Sequence, residues 1–195
     1  MKKIKFNILF LVFLLINSSL IFSQIHRRAD IEIKKVFSIE NYQLDRVINQ
    51  NFEDFLSKRL LLIKTNNEKI GYAYLGTAPS QTKYFDYIVL FDKDLVIQSI
   101  KILVYREDYG GEIGSKRWLN QFIGKTFFDK FIYRKNVAAI SGATISVNSM
   151  TDAVNDILSY LKSLKNKGVI WHSSSIAVSK IFNNFIENQN EVFEK

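Results

Sequence analysis

Tyr84-Phe85-Asp86-Tyr87-Ile88-Val89-Leu90-Phe91, the turn Asp92-Lys93-Asp94 and the run from Leu95 to Tyr105 decide how this chain folds. Both runs are rich in aromatic and β-branched residues and are short enough for single strands. The polar turn between them returns the chain, so the two strands pair antiparallel. In the second run Gln98, Ser99 and Lys101 break the apolar sequence only weakly, which implies one well-buried face.

Working upstream, Leu60 to Thr65 reads as a short strand, Asn66-Asn67-Glu68 as a turn and Ile70 to Leu75 as the return strand. Leu44, Val47, Ile48, Phe52, Phe55 and Leu56 recur at helical spacing, which predicts a helix from about Ile39 to Lys58. Downstream lies a glycine-bearing loop, Asp108-Tyr109-Gly110-Gly111-Glu112-Ile113-Gly114. Ser115 then caps a short helix carrying Trp118, Leu119, Phe122 and Ile123, closed by Gly124. Thr126 to Val137 reads as irregular with a short extended piece. Val147, Met150, Val154, Ile157, Leu158, Leu161 and Leu164 mark an amphipathic helix from about Ser146 to Lys165, and a partial stripe predicts another from Ser173 to Glu187. Strands in the middle with flanking helices give an α+β fold with a mainly antiparallel sheet, not a βαβ alternation.

The 195 residues suffice for one domain with a sizeable core, and 16 Phe with 9 Tyr supply bulky material for it. The first residues read differently. Lys2, Lys3 and Lys5 precede an apolar run from Ile8 to Ile16, then Asn17-Ser18-Ser19 and Leu20 to Gln24. This is the pattern of a secretory signal over residues 1–23, cleaved after Ser23, or of an uncleaved membrane anchor. Either way residues 24–195 are expected on the extracytoplasmic side. Without Lys2, Lys3 and Lys5 the 27 basic residues fall to 24 against 19 acidic ones, a surplus of 5. The basic clusters His26-Arg27-Arg28 and Lys34-Lys35 suit a solvated face or an anionic membrane surface, and no nucleic-acid motif accompanies them.

The absence of Cys excludes disulfides, Cys-ligated metals and a thiol nucleophile. His26 and His172 are the only histidines and lie far apart, which disfavours a His metal site and a hydrolytic triad. Asp108 and Glu112 form a loop carboxylate pair that solvation explains more simply than glycosidase chemistry. The chain holds no dinucleotide fingerprint.

Ser141-Gly142-Ala143-Thr144 opens the long amphipathic helix. Small and hydroxylated residues at a helix start seat a phosphate, because the first amides are unpaired and the helix dipole favours negative charge. The plain alternative is an N-terminal cap. The string through Ser146, with Met150 and Val154 behind it, resembles the flavinylation motif of the FMN-binding domain family, which includes the C and G subunits of sodium-pumping NADH:quinone reductase and Rnf electron-transport complexes. Gly71-Tyr72-Ala73 is similar to that family's early strand, Asp92 to Val104 to its central hairpin, and Tyr109 to Gly114 to its glycine loop. Trp118-Leu119-Asn120-Gln121-Phe122-Ile123-Gly124-Lys125 resembles its Gln-Phe-x-Gly-Lys segment, so the likeness runs from about Ile70 to Leu164.

The resemblance implies an electron-transfer flavoprotein whose FMN is joined to Thr144 by a phosphoester, put there by a separate flavin transferase outside the cytoplasm. Ser141, Gly142, Ala143 and Ser146 would then surround the phosphate. Gly114, with Glu112, Lys116 and Glu107, would lie near the ring, unless those charges are simply exposed loop groups. Tyr105 and Tyr109 would flank the flavin or pack at the sheet edge. The implied partners are the transferase and a membrane electron-transport complex or another redox protein. Two positions depart from the family pattern. Ala138 stands where the family usually has an acid three residues before the Ser. The segment from Asp108 to Gly114 replaces the usual Glu-Thr-Pro-Gly-Leu-Gly. The first departure favours the other reading, a non-redox extracytoplasmic module that binds FMN or another phosphate ligand noncovalently, or uses the turn only as a cap.

Overall fold

A computed structural model of the chain describes residues 24–48, 59–166 and 172–175. Five strands form an antiparallel meander: β1 (Gln43–Ile48), β2 (Leu60–Thr65), β3 (Glu68–Pro79), β4 (Tyr84–Asp92) and β5 (Ile97–Val104). A short β6 (His172–Ser175) pairs outside β1, giving the order β5-β4-β3-β2-β1-β6. Among the described residues three α-helices accompany the sheet: α1 (24–37), the single turn α2 (Lys116–Leu119) and α3 (Thr144–Asn166). The expected α+β class and antiparallel sheet are observed.

Strand alternation sorts the apolar residues onto two faces. Tyr72, Tyr74, Phe85, Tyr87, Val89 and Phe91 pack on one side under Val147, Met150, Val154, Ile157 and Leu161 of α3. Ala73, Leu75, Ile88 and Leu90 pack on the other, against Ile25, Ala29 and Ile33 of α1. Because both faces are covered, β4 reads as an almost unbroken apolar run. At the β2–β3 turn Asn66 and Asn67 have φ of 49° and 64°, the left-handed geometry that asparagine tolerates in tight hairpins.

Three expectations are corrected. Residues 43–48 form β1, not the start of a helix. Leu44 joins the α1-side core and Val47 the α3-side core, so this stretch is buried on both faces, and short apolar spacing fits either period. The remainder of the expected helix, 49–58, lies outside the described residues. Residues 173–175 belong to β6, where pairing with β1 overrides the weak helical stripe; 176–187 lie outside the described residues, as does the signal or anchor segment 1–23. Finally, α1 forms where no helix was expected. Ile25, Ala29 and Ile33 recur every four residues, and Glu32 fixes the helix to β5 by accepting from Ser99 Oγ at 2.7 Å and Lys101 Nζ at 2.8 Å.

Candidate functional site

The turn 141–144 stands at the N-terminus of α3. Gly142 has φ of 75°, which glycine adopts without strain. A Cβ at that position would meet nothing within 4 Å, so the requirement is one of backbone angle and not of close approach. Ala143 is buried and packs against Gly110, where a Cβ would come within 2.8 Å of the Ala143 Cβ. The glycine loop therefore closes onto the turn, and Gly110 (φ 79°) permits both the angle and the approach.

Two further hydrogen bonds fix the start of α3 to the sheet. Ser146 Oγ and the Tyr105 hydroxyl are 3.1 Å apart, and Ser149 Oγ donates to the Pro79 carbonyl. The segment before the turn is gripped by the short helix region: the Ala138 N–H donates to Gln121 Oε1 at 2.9 Å, and the Trp118 indole N–H donates to the Ala138 carbonyl at 2.8 Å. The Gly124 N–H in turn donates to the Ile97 carbonyl at 2.8 Å, at the start of β5.

The first bond within α3 runs from the Val147 N–H to the Ala143 carbonyl at 2.9 Å. The amides of Thr144, Ile145 and Ser146 thus have no carbonyl within the helix to bond, and the first turn carries no acidic side chain. Next to them lies a cleft of about 260 Å³ lined by Gln81, Tyr105, Glu107, Tyr109 and residues 142–146. Thr144 and Ile145 are exposed at its edge, and Tyr109 is 83% exposed. The cleft combines a free hydroxyl, free amides and exposed apolar side chains. Those groups fit a flavin phosphate with an aromatic ring beside it. It is smaller than the ~300 Å³ at which drug-sized pockets begin, so a ring seated there keeps a solvent-facing side.

The structure brings Thr144, Gly142, Ala143, Ser146, Tyr105 and Tyr109 together at this cleft. Ser141 is exposed beside it without lining it. Ser146 is buried and already engaged with Tyr105. Glu112 sits exposed on the 3-10 turn Gly111–Gly114 and does not line the cleft. Gly114 and Lys116 line a different cavity of about 370 Å³, with Glu32, Lys35 and Lys101. Chain direction separates them from Thr144: the loop turns away after Gly110 to begin α2.

Glu107 lines the cleft, but its carboxylate is committed elsewhere. It accepts from the backbone N–H groups of Thr82 (2.7 Å) and Lys83 (2.9 Å) and from the Ser80 hydroxyl (2.7 Å), and so clamps the β3–β4 turn. These bonds, Thr82 first, lower its pKa to about 2. Gln81, on the turn that Glu107 clamps, was not foreseen as a cleft residue; nothing local in the sequence marks it.

Residues 85–159 match the family model described as the FMN-binding domain. No curated protein matches the chain. The matched span holds nearly all of β4, then β5, the glycine loop, α2 and most of α3, and it includes every residue that lines the cleft except Gln81. The domain's cofactor is accordingly FMN.

Proposed function

We propose that this FMN-binding domain carries its flavin as a phosphoester on Thr144, outside the cytoplasm, and relays electrons between other redox proteins. The observation that carries the reading is the position of the Thr144 hydroxyl, exposed at the first residue of α3 and at the edge of the cleft. A phosphate on that hydroxyl would meet the unpaired amides of the first helical turn and the positive end of the helix dipole. Tyr105, Tyr109 and Ile145 offer apolar surface for a ring. Bound flavin supplies the redox chemistry; the chain supplies position, electrostatics and partial cover. Covalent attachment suits an exported carrier, since a dissociable flavin would be lost by dilution.

The exposed residues Ser141, Gly142, Thr144 and Ile145 leave the turn accessible to a flavin transferase. A membrane electron-transport complex or another extracytoplasmic redox protein would exchange electrons with the solvent-facing side of the ring. The basic, apolar N-terminal segment supports export.

Ala138 favours a second reading, noncovalent FMN binding. Its backbone is engaged on both sides by Gln121 and Trp118, and its side chain is exposed. An acid at this position would therefore be tolerated, and its absence removes a carboxylate that a transferase could use.

Co-expression with a flavin transferase and export, followed by denaturation and visible absorbance, separates the readings. Covalent carriage predicts retained flavin colour that vanishes in Thr144→Val. Colour lost on denaturation of the wild type despite active transferase would contradict it, and Ala138→Asp would then reveal whether the missing acid is responsible. Reversible reduction on an electrode tests the relay role; a flavin that is bound but never exchanges electrons would overturn it.

A further inference from the structure

Gln81 stands at the tip of the β3–β4 turn, and its neighbours on both sides are held. The Ser80 N–H donates to the Lys83 carbonyl at 2.7 Å, which closes the turn. Glu107 accepts from the Thr82 and Lys83 N–H groups at 2.7 and 2.9 Å. Lys83 Nζ donates to the Arg106 carbonyl at 2.9 Å, and Ser149 of α3 donates to the Pro79 carbonyl. The turn is thus tied both to the chain leaving β5 and to the helix that begins at Thr144.

The Gln81 side chain is the exception. It is exposed, it lines the cleft, and among the described residues its amide has no hydrogen-bond partner. The neighbouring polar side chains are already engaged. Glu107 holds the turn, while the Tyr105 hydroxyl donates to the Tyr109 carbonyl at 3.1 Å and lies 3.1 Å from Ser146 Oγ. Gln81 therefore brings to the cleft a side-chain donor and acceptor that nothing else uses, on a backbone that cannot drift. A few polar groups placed in this way are what orient a ligand in an otherwise apolar site.

The ring of FMN has an apolar edge, the dimethylbenzene, and a polar edge, where N3–H lies between the C2 and C4 carbonyls. A carboxamide is complementary to the polar edge: its oxygen accepts from N3–H while its NH2 donates to a neighbouring carbonyl. The ribityl hydroxyls offer no such fixed planar pair, and water serves them in a cleft with an open side. Resting on the reading of this cleft as the seat of the flavin ring, we propose that Gln81 is a specificity-determining residue that pairs with N3–H and an adjacent carbonyl of the flavin. Position 81 precedes residue 85, where the family match begins, so the contact belongs to a turn outside the matched span.

The test uses the exported chain without transferase and compares FMN with 3-methyl-FMN, which lacks N3–H, by quenching of flavin fluorescence. The wild type should prefer FMN by about fivefold, the worth of one neutral hydrogen bond. Gln81→Leu should weaken FMN binding by a similar factor, leave 3-methyl-FMN binding unchanged and so abolish the preference. Gln81→Glu keeps an acceptor for N3–H and should retain part of it. Gln81 is exposed, so Gln81→Leu should melt with the wild type. A wild type without the preference, including one that binds neither flavin, overturns the proposal. So does a preference unchanged in Gln81→Leu, or an equal loss of both flavins, which would assign the contact to the ribityl chain. Covalent flavin on Thr144 with a Gln81-independent preference would sink this proposal alone. A Gln81-dependent preference in a chain that is never esterified would sink covalent attachment alone.

Discussion

Gln121 holds Ala138. The two residues are 17 apart in sequence, yet the Ala138 N–H donates to Gln121 Oε1 at 2.9 Å, three residues before Ser141. The glutamine is itself held, since its amide nitrogen donates to the Trp118 carbonyl at 2.7 Å. The segment from Trp118 to Lys125 and the turn 141–144 are therefore parts of one device: the first fixes the approach of the chain to the second.

Gln121→Leu should accordingly destabilise the domain by about 1 kcal/mol, the worth of a typical hydrogen bond. In a domain of this size that lowers the melting temperature by about 2–4 °C. Thermal denaturation followed by circular dichroism checks it. An unchanged melting temperature would mean that Ala138 is held by Trp118 alone.

The two glycines on either side of Ala143 should respond differently to the same substitution. Gly142→Ala meets open space and bears only the cost of φ at 75°, about 1–2 kcal/mol. Gly110→Ala carries a similar backbone cost and also places a methyl group 2.8 Å from the Ala143 Cβ. It should be the more destabilising of the two and should displace the turn, lowering flavin retention as well. Urea denaturation ranks them; equal effects would show that the glycine loop does not press on the turn.

Glu107 makes the β3–β4 turn sensitive to acid. Its pKa is lowered from 4.5 to about 2 by the bonds from Thr82, Ser80 and Lys83. The unfolded chain therefore binds this proton more readily than the folded one, and the stabilisation is present above the ordinary carboxylate value. It fades as pH falls from about 4.5 through about 2. Glu107→Gln should be less stable than the wild type at pH 7, and the difference should shrink across that window. A difference independent of pH would contradict the clamp.

The β4–β5 hairpin was legible because its information is local: two apolar runs and a polar turn specify pairing without reference to the rest of the chain. The start of α3 was legible for the same reason, since Gly142 and the stripe from Val147 onward lie in one stretch. Leu44 and Val47 satisfy a helical period while serving opposite faces of a strand, so spacing alone does not reveal β1, and α1 is marked only by Ile25, Ala29 and Ile33 on its buried face. The cleft was half legible. Thr144 announces itself, but Gln81, Tyr105 and Ser146 meet only because β3, β5 and α3 converge. Gly114 and Lys116 follow the glycine loop in sequence yet turn toward another cavity, a change of direction that residue identity does not reveal.

The most direct test of the account is peptide mapping by tandem mass spectrometry of the exported chain, co-expressed with an active flavin transferase and denatured before digestion. Attachment as described predicts the FMN mass on the peptide spanning Ser141 to Asn148, localised to Thr144 and absent from Thr144→Val. An unmodified peptide, or FMN localised to Ser141 or Ser146, would contradict it.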